Sequence, residues 1–203
     1  MKKIFICLIG LLPLTLWAQD NTWERAEEPE EAVAKENPNA KYLKGAVPEV
    51  DGKVVFSTTI AAPGKSADQI YDIVEKYLRK MTGEKNQIQS AISKEDKANH
   101  EITAIYEEWL VFKSTAIMLD RTRFYFVVQA KCQDGSATIT LSHIRYLYEE
   151  NRKPQRYTAE EWITDKQAVN KKNTRLYPIS GKFRRKTIDR KDFLFNKFAD
   201  LLK

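Results

Sequence analysis

Val50 to Thr82, VDGKVVFSTTIAAPGKSADQIYDIVEKYLRKMT, constrains the fold of this chain more than any other stretch. From Lys53 to Ala62 the side chains alternate, with Val54, Phe56, Thr58 and Ile60 on one face and Val55, Ser57 and Thr59 on the other. That period-2 pattern in β-branched and aromatic residues predicts a strand. Asp51-Gly52 suits a type I′ turn, so Ala46 to Val50 should fold back as a short partner, and Pro48 makes that partner an edge. Ser66 and Gln69 have the spacing of a capping box, which opens a helix after Pro63-Gly64. Ile70, Ile73, Val74, Tyr77, Leu78 and Met81 then form one helical stripe, with Gly83 placed to end it in a left-handed conformation.

The same residues carry a resemblance. VPEVDGKVVF, followed by PGKS and an amphipathic helix, resembles the opening of a bacterial family of domains of unknown function, number 4468, found mainly in Bacteroidetes and described as TBP-like in fold. It covers about Val47 to Tyr148. It implies the fold and brings no activity, cofactor or functional residue with it.

The N-terminus joins a basic start, Met1-Lys2-Lys3, to an apolar run from Ile4 to Trp17 and then Ala18-Gln19-Asp20. This predicts a secretory signal peptide, residues 1–18, cleaved after Ala18 to leave a periplasmic or secreted protein. The run is shorter than the roughly 18 residues that span a bilayer, so no transmembrane segment is expected after cleavage. Cys7 lacks the small neighbours of a lipobox. Removing residues 1–18 leaves Cys132 alone, which excludes an intrachain disulfide and a thiolate zinc cluster and predicts a buried, inert thiol.

Residues 19–44 carry six glutamates, two prolines and few large apolar side chains, and are expected to be a disordered acidic leader. Residues 45–150 should form the core. Gln87 to Lys94 alternates, Lys94 to His100 is a polar turn, and His100 to Ser114 is a long strand with a bulge or break within Glu108–Phe112. Arg121–Cys132 and Ser136–Tyr148 form a hairpin about Asp134-Gly135. In its expected register Cys132 faces Ala137 and His143 faces Phe126, about 20 Å away at the strand rise, too far for a Cys-His dyad. That register places Phe124, Phe126, Val128, Ala130 and Cys132 on the core face with Ala137, Ile139, Leu141 and His143. Residues 151–203 read as a helical extension packing on the core. Thr158 and Glu161 cap a helix to about Asn170, 173–181 is a loop, and a last helix starts at Asp189 with Ile188 stapled to Phe193. The expected architecture is an α+β two-layer sandwich, an antiparallel sheet of about five or six strands with helices on one face, TBP-like or alternatively helix-grip.

No catalytic signature accompanies this pattern. Nucleophile-elbow, zinc-protease, phosphate-loop and dinucleotide motifs are missing. Gly64-Lys65-Ser66 lacks the lead-in of a phosphate loop, and His100 and His143 are too far apart in sequence for a local metal motif. Glu107 and Glu108 point to opposite faces of a strand and cannot work as a pair. Neither metal nor cofactor is expected. Charge is the feature left over. Residues 151–203 hold 15 basic side chains against 6 acidic, and Lys182, Arg184, Arg185, Lys186 and Arg190 form a candidate anion-binding surface for a protein or an anionic envelope component. A solvated basic face, or docking of the chain's own acidic leader, accounts for the run more simply, since charge runs usually face solvent. Export makes nucleic acid an improbable partner. The sequence therefore predicts an exported, non-catalytic binding or interaction module, with a carrier of a small apolar or lipid ligand in a groove between sheet and helices as the alternative.

Overall fold

The computed structural model describes residues 37–203. The expected signal peptide, and the leader up to residue 36, lie outside them. Asp51 and Gly52 both take positive φ, +50° and +73°, and close the expected tight hairpin of β1 (Glu49–Val50) and β2 (Lys53–Val54). This pair forms its own two-stranded sheet, and the predicted long strand continues after Val55 as β3 (Phe56–Ala61).

The Ser66 capping box is present, and α1 (Ala67–Thr82) buries Ile70, Val74, Tyr77, Leu78 and Met81 together with Tyr71. Full burial of each such side chain stabilises by roughly 1.5–3 kcal/mol. Gly83 does not take the left-handed conformation, since its φ is −100° and its amide closes the last turn onto Lys80 and Met81.

The main sheet is antiparallel, with β4 (Ala91–Asp96), β5 (Glu101–Ser114), β6 (Leu119–Gln133), β7 (Ser136–Tyr148) and β8 (Gln155–Thr158). Its order is β3-β7-β6-β5-β4, and β8 pairs with the far half of β7. The expected polar turn before β5 shrinks to the single 3-10 turn Lys97–Asn99, because β4 continues to Asp96. The expected irregularity in β5 is a bulge at Phe112, between Val111 and Lys113.

The hairpin register begins as expected, with Gln133 opposite Ser136 and Cys132 opposite Ala137, but it shifts further along. His143 and Ile144 together oppose Phe126, and His143 has φ +54°. The bulge turns His143 outward and puts Ile144 and Tyr146, rather than His143, into the core.

One hydrophobic cluster unites the inner face of the sheet, α1 and the C-terminal helix. That helix, α4 (Pro178–Leu202), starts eleven residues before the expected Asp189, with Pro178 in its first turn. Asp189 lies within it and accepts hydrogen bonds from the Tyr42 hydroxyl and Lys41. Phe193 is exposed, so the expected staple to Ile188 is absent. The Thr158 capping box opens only one turn, α2 (Ala159–Trp162), and a second turn, α3 (Asp165–Ala168), follows. Residues 37–44, expected to be disordered leader, pack on α4 through a 3-10 turn, Ala40–Tyr42, in which Tyr42 is buried. Among the described residues no helix is long and apolar enough to cross a membrane.

Candidate interaction surface

Four of the five residues expected to form an anion-binding surface on α4, Lys182, Arg184, Arg185 and Arg190, are already bonded within the molecule. Arg184 is wholly buried. Its Nε donates to the Tyr42 carbonyl (2.6 Å), its Nη1 to the Ile163 carbonyl (2.7 Å), and its Nη2 to the Leu43 carbonyl and to Asp165 (both 2.6 Å). Burial lowers its pKa from the usual guanidinium value, and Asp165 partly restores it. Arg190 donates twice to Glu108, both bonds 2.8 Å, and Glu108 is 1% exposed. Lys182 is bonded to Asp120 and to the Tyr148 hydroxyl; burial opposes its charge, yet those two bonds outweigh it and its pKa rises. Arg185 donates to Asn39 and lies over the Tyr42 ring, 5.4 Å from its centroid. Lys186 is half-buried. Lys182, Arg184, Arg185 and Arg190 fasten α4 to its surroundings through carbonyl, carboxylate and hydroxyl oxygens.

The reactive residue types are likewise held apart or covered. Cys132 is 3% exposed, and burial pushes its thiol up to about 11, the opposite of an activated nucleophile. Its amide donates to the His100 carbonyl (2.9 Å), but the His100 ring bonds Asp68 (2.9 Å) on the surface. His143 shares a hydrogen bond with its neighbour Ser142 (2.9 Å), a contact the sequence reading missed, and the Ser142 side chain is buried. Glu107 and Glu108 do face opposite sides, and each is ion-paired, to Arg123 and Arg190 respectively. Among the described residues no three His, Cys, Asp or Glu side chains are grouped as a metal ion would need.

The space between sheet and helices is filled. Tyr71, Tyr106, Tyr146, Phe124, Phe126 and Met81 are all under 2% exposed there. Phe124 and Phe126 lie 4.8 Å apart between ring centroids, and Tyr146 and Phe183 5.1 Å.

What the fold leaves open is the other face of the sheet. The register sets Trp109 beside Arg123, Arg123 beside Leu147, Tyr125 beside Arg145, and Leu147 beside Arg156. The Arg121 guanidinium stacks on Trp109, 3.6 Å from the ring centroid, and that of Arg145 lies 5.7 Å from Tyr125. Arg123 is held by Glu150 and Glu107, which raise its pKa above the usual value. Arg121, Arg145 and Arg156 have no ion-pair partner among the described residues. Two open hollows flank the lattice. One of about 380 Å³ is lined by Tyr125, Arg145, Arg156 and Thr158, and one of about 450 Å³ by Trp109, Met118, Arg121 and Arg152. Tryptophan, tyrosine and arginine are the side chains that dominate binding energy at protein interfaces. The bulge at His143 creates this surface, since without it Arg145 and Leu147 would point into the core.

Residues 56–147 match the profile of the family described as "Domain of unknown function (DUF4468) with TBP-like fold". No curated protein matches the chain. Among solved structures, a DUF4468 family protein from Bacteroides ovatus ATCC 8483 is 43% identical, with a TM-score of 0.76, over 81% of this chain and 94% of that one. A TBP-like protein from Parabacteroides distasonis ATCC 8503 is 20% identical, with a TM-score of 0.61, over 77% of this chain and 96% of that one, a likeness of fold alone. With the profile across the sheet and that identity over nearly the whole of a solved relative, the chain belongs to the DUF4468 family and has its TBP-like α+β fold.

Proposed function

We propose that the protein is an exported, non-catalytic binding module whose contact surface is the outward face of the sheet around Trp109, Tyr125, Arg145 and Arg156. One observation carries the reading. A lattice of half-buried aromatics and arginines, with Arg145 and Arg156 exposed, lies on the outward face of a sheet whose opposite face is closed by helices. A soluble domain gains nothing in its own core from such a face, and exposed clusters of this composition mark sites of contact. The buried thiol and the ion-paired glutamates favour binding over catalysis. The filled interior favours a surface partner over the alternative, an apolar ligand carried between sheet and helices. Export rests on the N-terminal sequence, Met1 to Ala18.

Native mass spectrometry of the protein isolated from the envelope of its own cells tests this. The expected result is a retained macromolecular partner that is lost when Trp109→Ala and Arg145→Glu are combined, with the thermal midpoint unchanged. A retained small apolar ligand, indifferent to both substitutions, would overturn the reading in favour of a carrier. Recovery of the chain free of any partner would overturn it as well.

A further inference from the structure

At one end of the molecule the apolar residues are neither covered nor scattered. β5 and β6 run on past the rest of the sheet and meet at a turn in which Thr115 and Met118 bond to each other. Ile117 at its apex is 96% exposed, and Met118 and Leu119 are 51% and 55% exposed. The N-terminal part of α4 is held against the base of this hairpin. Lys182 reaches Asp120 (2.7 Å), and the Phe183 ring lies 4.6 Å from that of Phe112. Ile179, one helical turn before Lys182 and on the same side of α4, is 62% exposed. A rim of cations surrounds the tip. Lys113 stands opposite Asp120 in the ladder, Arg121 follows two residues after Leu119, and Arg152 lines the same hollow as Met118, with Lys153 beside it. None of these four has an ion-pair partner among the described residues, whereas Asp120 and Glu150 on the same rim are neutralised by Lys182 and Arg123. Glu149 is the remaining carboxylate there.

We infer that this end of the protein docks on an anionic lipid surface, with Ile117, Met118 and Leu119 entering the interface and Lys113, Arg121, Arg152 and Lys153 resting at the headgroups. The inference concerns a different occupant from that of the contact surface proposed above, which it adjoins through the Arg121–Trp109 stack. A convex apolar apex ringed by unpaired cations complements a bilayer, where apolar side chains sink below the headgroups while basic ones stay level with them. Each cation near an anionic surface adds attraction, and that part is screened by salt. A protein partner would instead need a pocket shaped to the apex.

Vesicle flotation of the chain from Gln19 to Lys203 tests it. Vesicles of phosphatidylglycerol with phosphatidylethanolamine should carry the protein up at low salt, roughly tenfold more than vesicles of phosphatidylcholine. The triple variant I117N/M118N/L119N, and separately K113E/K153E, should each lower that binding roughly tenfold. All of these side chains project from the surface, so an unchanged thermal midpoint confirms folding. I105N, which alters an exposed apolar residue on β5 away from the tip, should bind like the unaltered chain. Equal binding to both vesicle types, wild-type binding by the tip variants, or failure to float would overturn the inference. So would a concentration-dependent dimer that the triple variant dissolves in the absence of vesicle binding, since the tip would then join two copies of the chain.

Discussion

A guanidinium buried as deeply as that of Arg184 persists only because four acceptors meet it at once. Arg184→Ala would leave three carbonyls and Asp165 facing a void, so it should destabilise the protein by about 3–5 kcal/mol, read as a fall in the urea midpoint. An anion-binding surface residue would instead leave stability within about 0.5 kcal/mol. Charge runs record only composition, and three of the four acceptors that hold Arg184 are backbone carbonyls, at Tyr42, Leu43 and Ile163, which no side-chain pattern displays. Cys132 was legible, because it closes an alternating apolar face. Its thiol, pushed up by burial to about 11, keeps its proton in the native state where the unfolded chain has already lost it. Stability is therefore undiminished below the ordinary thiol range and falls as pH rises toward about 11. Cys132→Ala should flatten part of that slope, as measured by urea midpoints across the alkaline range.

Among the elements, those with a clean period declared themselves. α1 and its capping box, the Asp51-Gly52 turn and the start of the β6–β7 hairpin all stand where their residues place them. α4 was hidden because its buried face is chemically mixed. Ser180, Gly181, Arg184 and Thr187 are buried beside Phe183 and Ile188, so no apolar stripe marks its first half. Pro178 suggests a loop until it is recognised as a first-turn residue. Gly181 shows why that half is shaped as it is. A β-carbon there would stand 2.6 Å from the Leu176 Cβ. Helix propensity favours Gly181→Ala by about 0.5–1 kcal/mol, but overpacking costs about 1–3 kcal/mol. The clash wins, so the substitution should lower the thermal midpoint. The bulge in β7 did leave a trace. Ala137, Ile139 and Leu141 hold one phase of alternation and Ile144, Tyr146 and Tyr148 the other, and the phase changes where His143 is inserted.

On the scale of the whole molecule, the two faces of the sheet differ in what covers them. Helices, aromatic packing and the ion pairs of α4 close one side, and the stacked arginines and aromatics of β5 to β8 stand open on the other. The two-layer fold could be read from alternation and capping. The proposed contact surface could not, because it is assembled across four strands and depends on the single-residue bulge that turns Arg145 and Leu147 outward. Arg145→Glu combined with Arg156→Glu should therefore leave unfolding stability, read from urea midpoints, within about 0.5 kcal/mol, while abolishing capture of the proposed partner. The most direct test is photo-cross-linking in cells that make the protein, with a benzophenone side chain placed at Leu147 on the open face or at Lys186 on the helical side. A discrete adduct from position 147 and none from position 186 is the predicted result; an adduct from position 186 with none from position 147 would contradict the assignment of the surface.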